Sequence, residues 1–272
     1  MSPTTDSVSA TGIRVAPVTQ ARVVRAEWIK LRSLRSTTLT LIAAVVAMIG
    51  LAWLVGAATN SHWSRMDLME RLRFNAVDRS LAGVHLAQLA VGVLGVLVIT
   101  GEYATGMVRA TLSAVPRRLP VLWAKAGLYA VVTFVLMLGA AFASFLVGQH
   151  FLATHGTTLA APHAWRAIFG VAGYLTMVAL LAVSLGFIIR STAGGIATLF
   201  GLLLVLPGIG LLLPTDWQKH TLPYLPSNAG ESIFSALPDP TALSPEKGLF
   251  VLVVWVAVGL LTAALLLKRR DA

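Results

Sequence analysis

Cysteine is absent from the 272 residues. No disulfide framework, thiolate metal site or cysteine nucleophile is therefore open to this chain. Charge is scarce: Asp, Glu, Lys and Arg make up 12%, against a usual share near 25%. Acids are the scarcer sign, 11 against 21 bases, for a formal net charge of +10. Enzyme signatures are missing too. The sequence holds no GxSxG, no HExxH and no GxxxxGK[ST] phosphate loop. The last absence closes the usual route to ATP hydrolysis on this chain. No Asp or Glu falls in the middle of a long apolar run, where ion-coupled carriers keep relays and ion ligands. That favours a machine powered from outside its membrane part.

Apolar residues are abundant instead, at 57%. A bilayer-spanning helix needs about 20 mostly apolar residues. Six runs meet that length, at about 38–58, 81–100, 120–147, 167–189, 193–213 and 248–267. The expected fold class is all-α integral membrane, with six transmembrane helices making one domain over 37–270. Residues 1–20 read as a disordered cytoplasmic tail. No signal-peptide cleavage pattern precedes the first run, so the N-terminus is expected to stay in the mature protein.

Residues 21–36 are different. Val23, Val24, Trp28, Leu31 and Leu34 share one arc of a helical wheel. Arg22, Arg25, Lys30 and Arg32 lie largely on the other side. That pattern predicts an amphipathic helix in the membrane interface. An even number of spans puts both termini on one side. With the termini in the cytoplasm, 14 of the 21 Lys and Arg fall inside and seven outside. The positive-inside rule favours that orientation. The Arg-rich loop after span one weakens the split, although Asp67, Glu70 and Asp78 partly balance it. The basic residues sit at the ends of apolar runs, which suits anionic lipid headgroups and does not suggest nucleic acid.

The loop after span two reads GEYATGMVRATLSAVPRR, residues 101–118. It opens on Glu102 and closes on Pro116, Arg117 and Arg118. Tyr103, Met107, Val108 and Leu112 give it apolar surface beside polar groups. A short helix there could dock into a cleft on a cytoplasmic partner; an ordinary charged loop with membrane anchors is the alternative. Six histidines, His62, His85, His150, His155, His163 and His220, fall near the outer side without ligand spacing, and no metal site is expected. Small residues recur every fourth position in span three (Ala140, Ser144, Gly148) and span five (Ala193, Ala197, Gly201). Such ridges let helices approach closely. Packing within the subunit is the expectation, a dimer seam the alternative. Pro207 removes a backbone hydrogen bond and can kink span five. The proline-rich segment 214–247 is expected to face outward, with a short helix or re-entrant piece near 228–237.

Three segments carry a family resemblance: EWIKLRSLRST at 27–37, GEYATGMVRATLSAVPRR at 101–118, and RSTAGG at 190–195. Together they resemble the permeases of ABC transporters of the type-2 exporter class, above all small six-span bacterial permeases. The resemblance covers about 21–270. It implies that the loop after span two is the ATPase-coupling loop, with Glu102, Tyr103, Thr105, Gly106, Arg109 and Thr111 on its motif. It implies that Arg25, Trp28, Lys30 and Arg32 belong to the interface helix. It implies a cytoplasmic ABC ATPase as partner, which binds ATP and Mg, and no cofactor on this chain. It further implies a second permease copy, identical or related, in a plasma membrane, with efflux as the activity. An ion-coupled secondary transporter and a non-transport membrane scaffold or sensor are the rival classes.

Overall fold

The structure is a computed structural model that describes residues 19–108, 118–237 and 241–269. Among these residues every regular element is helical. Six helices are long and apolar enough to cross a membrane. The expected tail at 1–20 lies outside the described residues except for Thr19 and Gln20.

The interface helix runs over Gln20–Ser33 and ends where Leu34 turns to an extended conformation. Span one follows at once as Arg35–His62. Two short helices, Leu68–Leu72 and Ala76–Ser80, cover the loop to span two. Their starts are legible: Asp67 forms a capping box with Glu70, and Asn75 accepts from the amides of Val77 and Asp78. Span two is Val84–Ala104, span three Leu119–Leu152 and span four Ala164–Ile189. Span four is the central helix. It packs against spans two, three, five and six, and much of its surface is buried. Small residues permit this. Gly95 of span two sits against Ala179 and Ala182, and Gly186 sits against Val96 and Ile99. Lipid offers little hydrophobic gain for helix association, so close van der Waals contact carries the packing. Two buried tyrosines add polar ties: Tyr129 donates to the Val91 carbonyl at 2.6 Å, and Tyr174 donates to Gln88 Oε1.

Span five is not one regular helix. It runs Thr192–Phe200 as α-helix, Gly201–Val205 as a π-helical turn, then Leu206–Gly210 as α-helix. The irregular turn stands directly before Pro207, which has no N–H to donate to the turn behind it. The two small-residue ridges part company. Ala140, Ser144 and Gly148 are buried within the subunit as expected, whereas Ala193 and Ala197 are exposed and Gly201 is half-buried. The span-five ridge therefore does not pack within this chain.

The segment after span five holds a helix at Thr215–Thr221 and another at Pro226–Phe234. The second of these lies against span four and span six, the latter Pro245–Arg269. Gly230 makes this possible: a Cβ there would meet the Tyr174 ring at 2.1 Å. Arg166, at the start of span four, donates to the carbonyls of Ile233 at 3.2 Å and Ser235 at 2.8 Å. Asp78 accepts from the amides of Ala236 at 2.7 Å and Leu237 at 3.1 Å. A cation on the carbonyl end and an anion on the following amides fasten the C-terminus of this helix.

Candidate functional site

The three segments singled out in the sequence meet at one end of the bundle. Glu27 and Lys30 come from the interface helix, Thr100, Glu102 and Tyr103 from the end of span two, and Arg190 and Thr192 from the turn between spans four and five.

Their centre is a closed square of alternating charges. Lys125 of span three donates to Glu27 Oε2 at 2.6 Å and to Glu102 Oε1 at 2.9 Å. Lys30 donates to Glu27 Oε1 at 2.9 Å and to Glu102 Oε1 at 2.9 Å. Glu27 thus uses one oxygen for each lysine, and Glu102 uses one oxygen for both. The Lys125 and Glu27 side chains are only 4% and 5% exposed. Two carboxylates and two ammonium groups sum to zero charge. Each would be costly alone in such a setting and is tolerable because it is paired on two sides. Burial disfavours a charged Lys30, but its bonds to Glu27 and Glu102, and their attraction, outweigh that. Its pKa is held above the usual 10.5.

Further contacts extend the junction. Thr192 donates to Thr100 Oγ1 at 2.8 Å. The Arg190 guanidinium lies over the Tyr103 ring, 5.1 Å from its centroid. Arg190 itself adopts a left-handed conformation, φ 58°, which ends span four and turns the chain into span five. Gln20 donates to the Pro120 carbonyl at 3.2 Å, and Arg118 donates to the Leu267 carbonyl at 3.3 Å. Hence the interface helix and the same-side ends of spans two to six are all tied together here.

Span two stops by a local device. The Thr105 hydroxyl donates to the Gly101 carbonyl at 3.0 Å, and the Gly106 amide donates to the Tyr103 carbonyl at 3.2 Å. Gly106 takes φ 71°, a left-handed conformation that glycine adopts without steric cost. Met107 and Val108 then continue, Val108 buried and Met107 exposed. Arg109 and Thr111, expected on the coupling motif, lie outside the described residues.

The predicted residues fall into two groups. Glu102, Tyr103 and Lys30 come together in the junction, and Thr105 and Gly106 shape the exit from it. Lys30, expected on the polar side of the interface helix, instead turns inward to the two carboxylates. Arg25, Trp28 and Arg32 are exposed and take no part in it. Pro207 belongs to span five and stands apart from the square. Sequence reasoning missed Glu27 and Lys125. Glu27 had a signal: four residues after Val23 and four before Leu31, it lies within the apolar stripe. Lys125 had only its place, a lone cation a few residues into span three.

A family model described as ABC-2 family transporter protein matches residues 23–213. This chain belongs to that family. The match spans the interface helix from Val23 onward, the first five spans and every residue of the charge square. The protein is thus a multi-pass membrane permease of an ABC transporter, and its family implies an ATP-binding subunit as partner. No curated protein matches the chain.

Proposed function

We propose that this ABC-2 permease exports its substrate, and that the junction built around Glu27, Lys30, Glu102 and Lys125 transmits the motion of a separate cytoplasmic ATPase to the spans. The supporting observation is the square itself. It joins the interface helix to span three and to the last turn of span two, which carries Glu102. A push on the segment 101–118 reaches Glu102 first and, through both lysines, the interface helix and span three together. Energetic coupling needs an element that both sites can bias, and a paired charge cluster at a helix junction is such an element.

In this reading both termini are cytoplasmic, ATP and Mg bind the partner ATPase, and the permease acts as a pair with an identical or related copy. The exposed ridge of Ala193 and Ala197 on span five supports the pairing, since small residues permit close contact between helices.

The absence of cysteine makes a clean test available. A single cysteine at Met107, which is exposed, is expected to react with a membrane-impermeant thiol reagent only from the cytoplasmic side. It is also expected to cross-link to the co-purified ATPase. Labelling from outside the cell would reject the proposal.

A further inference from the structure

The interface helix has a second side that the charge square leaves unused. There, a cleft of about 470 Å³ opens between this helix, span one and span three. Leu31, Leu41, Val45, Val132 and Leu136 give it an apolar lining. Trp28 and Arg32 stand at the polar end, one helical turn apart, both exposed. Arg25, also exposed, lies on the same stripe one turn earlier.

The dimensions and the charge select an occupant. Span one borders the cleft from Thr37 to Val46. Nine helical steps cover about 14 Å, close to half of a hydrocarbon core of roughly 30 Å. The cleft therefore spans one leaflet, apolar along its length and cationic at the interface end. An indole beside the cation suits the level between acyl chain and headgroup. We infer that this cleft holds one acyl chain of an anionic glycerophospholipid from the leaflet that carries the interface helix, with the lipid phosphate on Arg32 and Trp28 beside the glycerol. Such a lipid braces the interface helix on the flank next to Glu27, along Leu31, Trp28 and Arg32. The site depends on the membrane placement of the helices and not on the direction of transport or on the ATPase.

The test is lipid retention. The full-length chain is reconstituted in equal phosphatidylglycerol and phosphatidylcholine, re-extracted in mild detergent, and its bound lipid quantified by mass spectrometry. The wild-type chain is expected to keep about one phosphatidylglycerol per chain in preference to phosphatidylcholine. Arg32→Gln is expected to lower that preference about fivefold, the effect of one interfacial cation on anionic lipid. Val46→Trp, at an exposed position on the lip, fills the opening and is expected to abolish retention. A second measurement does not need the filled variant: brominated phosphatidylglycerol is expected to quench the wild-type emission more than that of Trp28→Phe, and brominated phosphatidylcholine is not. Equal retention of both lipids, or retention unchanged by Val46→Trp, overturns the assignment. So does disulfide cross-linking between Val46→Cys chains with no lipid retained, which would give the cleft to a second copy.

Discussion

Lys125 of span three and Glu27 of the interface helix are 98 residues apart in sequence, yet their charged groups meet at 2.6 Å with both side chains buried. Neither residue can lose its charge without leaving the buried square one unit out of balance. Lys125→Met is therefore expected to cost about 3 kcal/mol, the scale for breaking a buried ion pair from one side. In Lys125→Met two carboxylates share Lys30 alone; adding Glu27→Gln removes the surplus negative charge and leaves Lys30 paired with Glu102. The double variant is expected to be more stable than Lys125→Met. Denaturant unfolding of the purified chains measures both differences. Additive losses would show that the square is not a coupled unit.

The square also sets an alkaline limit. Lys30 has a folded-state pKa above 10.5, so its pairing stabilises the fold fully below the unfolded value near 10.4. That contribution is lost as pH rises through the folded value. Unfolding measured from pH 8 to 12 is expected to be flat at first and then to weaken at the alkaline end. Lys30→Met is expected to start lower and to show a smaller alkaline loss. An identical alkaline decline in both chains would contradict the assignment.

Gly106 makes a narrower prediction. Its φ of 71° is strained for alanine, at about 1–2 kcal/mol, and less so for asparagine. Among the described residues no atom stands within 4 Å of a Cβ there, so the expected effect is backbone strain. Gly106→Ala is expected to destabilise the exit from span two by about 1 kcal/mol and Gly106→Asn by less. Equal stabilities of all three chains would argue against the left-handed turn.

At the other end of the bundle, Asp78 holds the amides of Ala236 and Leu237. Hydrogen bonds to a charged acceptor contribute about 1.5–3 kcal/mol each. Asp78→Ala is expected to speed exchange at these two amides at least tenfold, about 1.4 kcal/mol. Amides within span four are expected to be unaffected. Hydrogen exchange read by mass spectrometry separates the two regions.

These sites differ in how far the chain announces them. The spans were legible because apolar runs of membrane length have few other uses, and the interface helix was legible from its stripe. Glu102 was legible by its place at the head of a family motif. Glu27 and Lys125 were not, because a charge near a membrane edge reads equally as an anchor reaching to water or as a buried partner. Only the packing of span three against the interface helix decides between these. Lys30 was misplaced for a related reason: its long stem lets the ammonium reach inward from the border of the polar face. The π-helical turn before Pro207 was anticipated as a disturbance, but its extent back to Gly201 depends on neighbours that no local pattern encodes.

The most direct test of the central claim measures transport and ATP hydrolysis in the complex of this permease with its ATPase. The variants are Glu102→Gln and Lys125→Met, with co-purification of the ATPase as the control for assembly. The account predicts that the complex still forms and hydrolyses ATP, while transport per ATP falls at least tenfold. Transport per ATP equal to that of the unaltered permease in both variants would contradict it.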